Sequence, residues 1–424
     1  MPEFSEYDEE LRTFVESLIE FDTTGGGELA AQEWLRERFE AFGFETYEWA
    51  ADAEALAVHP EFPDDPAEIQ VEDRPSVAGA VEFGDPDAGP TVVLNGHVDV
   101  VPADETLWET DPFDPVWGEE DGEETLTARG AADMKAGLSA CVFAARLLMD
   151  AAEAGEASGL DGRVVVESVV GEEEGGVGAA TAALDNPYPF DRDAALVAEP
   201  TGLTPVVATE GSVMKRLHVD GRSAHAARRW NGESVLPHFE RIRRAFERLE
   251  AERAERVRHP LYERFDSPWP VNVGVVRAGS WPSSVPASLD ADVRIGVAPG
   301  ETLEEVEAEY DERLAEVVAD SEWLSAHPPT FERTAIQFTP GETDPDAAVV
   351  GALREAMAAA GVEGEPVGET YGADSRHYIH AGIPTVLFGP GDIDEAHFPN
   401  ESIAWPEVST AGGVVADAAR RLLS

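Results

Sequence analysis

Short apolar runs alternate with amphipathic helical segments along this 424-residue chain, and this alternation is what most limits its fold. Apolar runs predict strands, and apolar residues at a spacing of three to four predict helices. Before residue 208 the predicted strands are 77–83, 91–94, 163–170 and 194–198, and the predicted helices are 8–21, 28–42, 135–152 and 177–184. After residue 334 come helix 347–360, strand 385–388 and helix 408–423. Strands and helices in alternation are typical of an α/β sheet covered by helices.

Residues 208–334 follow a different order. Predicted strands at 213–219, 271–276 and 289–297 combine with long helices at 233–250 and 302–318. This β-α-β-β-α order is typical of a small ferredoxin-like sheet with two helices on one face. We therefore predict one α/β domain in two parts, 1–207 and 335–424, interrupted by an inserted α+β domain at 208–334.

The charge of the chain excludes two classes of partner. Lys and Arg number 30 and Asp and Glu 86, which gives a formal net charge of −56. Such a surface repels nucleic acid and anionic membranes. The acidic residues are spread among periodic apolar ones, which argues against a disordered acidic tail. We interpret the charge as adaptation to high salt, because at 1 M salt the Debye length is only about 3 Å.

Cysteine use and hydropathy indicate a cytoplasmic protein. The single cysteine, Cys141, lies in the apolar stretch 138–148, so we expect a buried structural thiol. The acidic N-terminal segment does not resemble a secretion signal. No apolar run approaches the ~20 residues of a membrane span.

Histidine and carboxylate side chains follow the predicted strands. His97 and Asp99 come directly after strand 91–94, and alternation along an extended chain puts both on one side. One could bind a metal while the other orients a ligand or the catalytic base. Asp133 stands in a glycine-flanked turn at the start of a helix, where a carboxylate is either a helix cap or a metal ligand.

Three adjacent glutamates, Glu172 to Glu174, follow strand 163–170 and are flanked by glycines. A solvated acidic run is one interpretation, but glycines also permit tight turns beside an ion. A carboxylate next to a metal-activated water is what general-base hydrolysis requires. Glu199 follows the next strand, and His397 lies in an acidic segment near the C-terminus.

These groups together predict a metal site. The carboxyl ends of strands are where α/β sheets place their sites. Mixed histidine and carboxylate ligands without cysteine suit zinc, with manganese and cobalt as alternatives.

The five motifs, in this order over roughly residues 8–420, resemble the zinc aminoacylase and carboxypeptidase family that includes acetylornithine deacetylase, succinyl-diaminopimelate desuccinylase and glutamate carboxypeptidase. The resemblance implies an α/β zinc-exopeptidase-like catalytic domain with an inserted lid and dimerisation domain. It also implies two divalent metal ions and hydrolysis of an N-acyl amino acid or short peptide. A dipeptidase or carboxypeptidase with the same site is the alternative, and a non-catalytic amino-acid-binding relative is another.

The resemblance also implies residue roles. Asp133 would bridge both metals, Glu172 would be the general base, and Asp99 would support His97. A cis peptide would join Asp133 to Met134. The implied metal ligands are His97, Asp133 and Glu199 for the first ion, with Glu173 and His397 added for the second. A shift of register by one would make Glu173 the base and Glu174 the ligand.

On the insert, the resemblance gives His225 a role in polarising the scissile carbonyl, usually across a homodimer. Asn272 and Arg294 match stretches that hold a substrate carboxylate, for which a guanidinium is suited. Residues 372–376, which begin with Gly372, match a substrate-side loop of the family. The remaining histidines are interpreted as structural or surface residues: His59, His218, His238, His259, His327, His377 and His380.

Overall fold

The computed structural model describes residues 3–120, 122–157 and 159–424. The strands in chain order are β1 Glu45–Ala50, β2 Pro75–Phe83, β3 Thr91–His97, β4 Val116–Glu120, β5 Glu123–Thr127, β6 Gly162–Val169, β7 Ala194–Val197, β8 Val206–Thr209, β9 Gly211–Asp220, β10 Val271–Ala278, β11 Ser288–Val297, β12 Thr330–Arg333, β13 Gly341–Glu342, β14 Val367–Glu369, β15 Thr385–Leu387 and β16 Ser402–Ala404. The α-helices are α1 Asp8–Ile19, α2 Leu29–Phe42, α3 Ala53–Leu56, α4 Ala136–Glu153, α5 Val177–Leu184, α6 Val235–Arg256, α7 Leu303–Ala319, α8 Glu322–Ala326, α9 Ala348–Ala360, α10 Ser375–His380 and α11 Trp405–Leu422.

The main sheet has nine strands in the order β1-β2-β6-β3-β7-β15-β8-β13, with β14 also paired to β8. Its central strands β6, β3, β7 and β15 run parallel. Every residue of β3 and β6 is buried, as expected for strands covered on both faces. Helices α1, α4, α9 and α11 pack on one face, and α5 and α10 pack on the other. The predicted α/β fold is confirmed.

The second sheet is antiparallel, in the order β10-β11-β9-β12. Its strands lie between residues 211 and 333, inside the segment predicted as an insert. Burial alternates along β9 and β11, because one face packs against α6 and α7. Strand β12 completes the β-α-β-β-α-β order of a ferredoxin-like unit. Strand β12 was not predicted, because three of its four residues are polar.

A third sheet joins β16, β5 and β4 beside the main one. These strands were not predicted, and neither was β1. Strand β4 and the first half of β5 are rich in glutamate and largely exposed, so they lack the apolar alternation that marks a half-buried strand.

Two local expectations are met. The Asp133–Met134 peptide is cis, and Cys141 is a buried free thiol whose pKa is raised to about 12 by burial. Among the described residues, no helix combines the length and apolarity needed to span a bilayer.

Candidate metal centre and substrate cleft

Three neighbouring parallel strands bring the predicted site residues to one edge of the main sheet. His97 ends β3, Glu199 follows β7 by two residues, and the loop of residues 171–176 follows β6. We call this loop the base loop. Asp133 comes from the turn before α4, and His397 comes from a loop near the C-terminus, where its φ is +64°.

Asp133 lies between two imidazoles. His97 Nε2 is 3.0 Å from Asp133 Oδ1, and His397 Nε2 is 3.5 Å from Asp133 Oδ2. His397 Nε2 also lies 3.0 Å from Glu173 Oε2. One ligand atom each from His97, Asp133 and Glu173 lie within 4.8 Å of one another. A carboxylate with one oxygen directed to each of two histidines can bridge two ions.

Glu199 faces the same cluster. It is buried, and its Oε1 has no hydrogen-bond partner within the described part of the chain. Burial raises its pKa to about 8, His97 opposes this shift, and the negative charge of Asp133 adds to it. The five predicted ligands, which we call the metal-ligand cluster, are His97, Asp133, Glu173, Glu199 and His397.

The residues present fit divalent metal ions. Four buried carboxylate oxygens have no hydrogen-bond partner among the residues described: Asp99 Oδ1, Glu199 Oε1 and both oxygens of Asp374. Holding several carboxylates together away from water is costly unless cations compensate them. Two histidines and three carboxylates without cysteine form a donor set that suits zinc, and manganese or cobalt also fit it.

Backbone contacts orient His97. Its Nδ1 lies 2.9 Å from the carbonyl oxygen of Asp99, while the nearest carboxylate oxygen of Asp99 is 3.8 Å away. This arrangement directs Nε2 toward Asp133. Asp99 Oδ2 accepts a hydrogen bond of 3.1 Å from the backbone N–H of Glu173. Asp99 therefore links the end of β3 to the base loop.

The three adjacent glutamates face different partners. Glu173 contacts His397, and Glu174 forms an ion pair with Arg74. Glu172 is partly exposed, and among the described residues no hydrogen bond engages its carboxylate. Burial raises the pKa of Glu172 well above its usual value, and the charges of Asp374 and Glu199 add to this.

The role of Glu401 was not predicted from the sequence. Its buried carboxylate accepts hydrogen bonds from the N–H groups of Gly130 (3.0 Å), Ala132 (2.8 Å) and Asp133 (2.9 Å). It also accepts one of 2.7 Å from Arg129 Nη1. Glu401 thus holds the turn that presents Asp133. It lies in the acidic segment around His397, but nothing in that segment indicates partners about 270 residues away.

Asp374 was also missed as a site residue. It lies in the segment matched to a substrate-side loop, but it is buried, and both carboxylate oxygens lack hydrogen-bond partners in the described part of the chain. Its neighbour His377, expected to be structural or at the surface, is buried with Nε2 3.3 Å from the carbonyl oxygen of Gly175. Both residues lie directly behind the base loop.

A cavity of about 640 Å³ separates the base loop from the insert. Glu173 and Glu174 line one side, and Asn272 and Arg294, paired across β10 and β11, line the other. Both terminal nitrogens of Arg294 donate to the buried carboxylate of Glu210, at 3.4 and 3.2 Å.

Two predicted residues lie elsewhere. His225 is exposed, its Nδ1 accepts a hydrogen bond from Ala227 N, and it does not line the cavity within the described residues. Gly372 packs against Phe338, which does line it.

Known proteins resemble this chain over most of its length. The model of peptidase family M20/M25/M40 matches residues 93–421. The chain is 32% identical over 351 residues to acetylornithine deacetylase of Myxococcus xanthus, covering 80% of this chain and 82% of that one. It is 25% identical over 436 residues to N-formyl-4-amino-5-aminomethyl-2-methylpyrimidine deformylase of Halalkalibacterium halodurans, covering 94% and 91%.

Solved structures share the fold over nearly the whole chain. An M20 family metallo-carboxypeptidase from Sulfolobus solfataricus superposes with a TM-score of 0.74 at 18% identity, covering 98% of this chain and 99% of that one. A dinuclear metal-binding M20 peptidase from Bacillus subtilis superposes with a TM-score of 0.64 at 15% identity, covering 99% of both.

Proposed function

Because the chain belongs to peptidase family M20/M25/M40, we propose that it removes the acyl group from an N-acyl amino acid. Membership makes it a metal-dependent hydrolase of amide bonds. The choice of an N-acyl amino acid follows the Myxococcus xanthus relative, an acetylornithine deacetylase, which is 32% identical to this chain, against 25% for the Halalkalibacterium halodurans deformylase. Dipeptidase or carboxypeptidase activity at the same site is the alternative.

The observation that carries this proposal is the convergence of the metal-ligand cluster at the carboxyl ends of β3, β6 and β7. We propose that His97, Asp133 and Glu199 hold one ion and that Asp133, Glu173 and His397 hold the other, both zinc. When bound, the ions would supply Lewis-acid activation of water and of the substrate carbonyl.

The side chains of the chain itself move protons and hold the substrate. Glu172, partly exposed and free of hydrogen-bond partners among the described residues, takes a proton from the attacking water and gives it to the leaving amine. Asp99 keeps the base loop next to His97 through its contact with Glu173 N. Asn272 and Arg294 hold the substrate carboxylate across the cavity.

We also propose a homodimer in which His225 completes the partner's site. Support comes from its exposure away from the cavity and from β10, an edge strand whose Val276 is 48% exposed. Trp230 and Trp281 on the same insert are 69% and 66% exposed. Large exposed aromatic side chains are typical of protein interfaces. Light scattering at high salt tests this, and a monomer would contradict it.

A second candidate is an N-formyl amine without a carboxylate, as acted on by the Halalkalibacterium halodurans relative. The observation that favours it is the pairing of Arg294 with Glu210, since both terminal nitrogens of the guanidinium already have a carboxylate partner. A substrate that lacks a carboxylate would not need to compete with Glu210.

The test combines metal content and hydrolysis in high salt. The substrates are N-acetyl-ornithine, N-succinyl-diaminopimelate, an N-formyl aminopyrimidine and a set of dipeptides. We expect two metals per chain in the wild type and in Glu172→Ala, with turnover lost in the variant. Glu173→Ala should lose metal as well as turnover. A wild-type chain that binds no metal would contradict the proposed function.

A further inference from the structure

Glu174, the third glutamate of the base loop, is not a ligand in the proposed metal site. It forms an ion pair with Arg74. We propose that Arg74 is a positioning residue: by holding Glu174, it fixes the base loop, and so sets the position of Glu172 and directs Glu173 toward His397. This inference rests on the proposed function for the roles of Glu172 and Glu173.

Arg74 is a buried and firmly anchored cation. Its side chain is only 2% exposed, and it meets the fully buried carboxylate of Glu28. Its Nε lies 3.1 and 3.2 Å from the two oxygens of Glu28, and Nη2 lies 2.5 Å from Oε1. Nη1 donates to Glu174 Oε2 at 2.5 Å and to the carbonyl of Gln70 at 3.2 Å. A planar guanidinium anchored in this way fixes the direction of its remaining bond.

The guanidinium also touches the start of the base loop. Gly171 has a φ of +71°, and a side-chain carbon there would lie 3.1 Å from Arg74 Nη2. The loop then closes on itself, because Gly176 N donates to Gly171 O and Gly175 N donates to Glu172 O. Arg74 therefore meets this tight loop at its first residue and at Glu174, so a shift of Glu174 also shifts its neighbours.

A second arginine holds the other end of the loop. Arg376 Nη2 donates to the carbonyl of Gly175 at 2.8 Å, and Arg376 Nε donates to the buried carboxylate of Glu61 at 2.9 Å. The contact between Arg376 and the base loop involves only the loop backbone. Arg74 is the arginine that holds a carboxylate of the run, and adjacent carboxylates repel one another unless a cation separates them. Without Arg74, we expect Glu174 to compete with Glu173 for His397.

The insert offers a matched control. Glu174→Ala removes one carboxylate from a buried arginine that keeps a second one, Glu28. Glu301→Ala does the same to Arg253, which is fully buried and keeps Glu309. Glu174 is 39% exposed, so its removal should not prevent folding. Glu174→Gln, which retains an acceptor oxygen, is the conservative variant.

We expect Glu174→Ala to lower kcat roughly 10–100-fold, the usual effect of losing a group that orients metal ligands, while KM stays within about twofold. Glu174→Gln should recover part of kcat, and Glu301→Ala should leave it unchanged. Both Glu174 variants should keep two metals per chain. Hydrogen exchange of the amides of Gly175 and Gly176 should rise about tenfold or more in Glu174→Ala alone.

Two outcomes would overturn the inference. Loss of one metal in Glu174→Ala would make Glu174 a ligand. Unchanged exchange in the base loop would show that Arg74 does not hold it, whatever the activity. Absence of turnover or metal in the wild type would instead contradict the proposed function, and the exchange measurement would still decide the role of Arg74.

Discussion

Glu401 shows how much a single carboxylate outside the metal-ligand cluster can contribute at the residue scale. Its two oxygens accept four hydrogen bonds, three of them from the backbone of the turn that presents Asp133. In Glu401→Gln, one oxygen becomes an N–H₂ group that faces donors. We expect metal affinity to fall roughly 10–100-fold and stability to fall by about 1–3 kcal/mol. Competition with a chelator and thermal unfolding measure the two effects. Affinity within twofold of the wild type would contradict this role.

Glu61 lies outside the metal-ligand cluster, and its pKa predicts how the stability of the protein depends on pH. Burial is the largest single influence and raises its pKa, but the charges of Arg376 and His377 together with two hydrogen bonds from Thr339 outweigh burial and lower the pKa from 4.5 to about 2. A carboxylate with a lowered pKa in the folded state stabilises it above the unfolded pKa, and this contribution is lost as the pH falls from about 4.5 to 2. The full contribution is about 3 kcal/mol.

Denaturant unfolding of the wild type and Glu61→Gln in high salt measures this contribution. The stability difference between them should be largest at pH 7 and should shrink by about 2 kcal/mol at pH 3. A difference that stays constant over this range would show that Glu61 is not held ionised by Arg376.

Local motifs made some of the site predictable, but long-range partners could not be predicted. His97 and Asp133 stand at a strand end and a helix start, where the sequence pattern itself marks a site. Arg74 is 46 residues from Glu28 and 100 residues from Glu174. Nothing in their local sequence indicates such pairing, because only the assembled sheet brings these segments together.

At the scale of elements, the close approach of α4 to the end of β7 is a constraint on the metal site. A side-chain carbon at Gly137 would lie 2.3 Å from the carbonyl oxygen of Ala198, next to Glu199. Gly137→Ala should push the helix away, cost about 1–3 kcal/mol of stability and lower metal affinity. The matched control is Gly351→Ala in α9, where nothing lies within 4 Å of the added carbon. That change should stabilise the protein by about 0.5–1 kcal/mol.

Thermal unfolding and metal titration of both variants test this constraint. Equal effects at the two positions would show that the contact of α4 with β7 can relax. The contrast matters because both glycines lie in helices, so intrinsic helix propensity favours alanine at each.

Elements with strong periodicity were mostly predicted to within three residues, although α6 extends six residues beyond the predicted helix 233–250. Helix 177–184 agrees with α5, and strand 289–297 agrees with β11 to one residue. The exposed hairpin of β4 and β5 was missed, because glutamates that face water on both sides of a strand leave no pattern. Its pairing with β16, from the far end of the chain, adds a contact that no local pattern contains.

At the scale of the whole molecule, the net charge of −56 must act against the folded state. Many basic residues are already paired, including Arg253, Arg313 and Arg333, yet acidic residues outnumber basic ones by 86 to 30. Most carboxylates therefore have no cation to neutralise them. Compactness brings these charges together, so self-repulsion opposes folding unless salt screens it.

We therefore propose that the protein is adapted to high salt, and that raising KCl from 0.1 M to 3 M raises its Tm by about 5–10 °C. The Debye length falls from about 10 Å to below 3 Å over this range, so repulsion between distant carboxylates is screened. Screening also weakens exposed ion pairs, but such pairs contribute only about 0–1 kcal/mol each. The stability gained by screening the repulsion should outweigh the stability lost from the weakened ion pairs.

A helix-surface variant separates screening from general effects of salt on hydration, which stabilise most proteins. Glu33 and Glu37 are exposed and lie one turn apart on α2, where like charges repel by about 0.2–0.5 kcal/mol. The double variant Glu33→Gln and Glu37→Gln should be more stable than the wild type at 0.1 M KCl and equal to it at 3 M. If the gain persists at 3 M, helix propensity rather than charge explains it. If Tm falls as salt is added, ion pairs outweigh repulsion, and the interpretation of the acidic surface as an adaptation to salt is wrong.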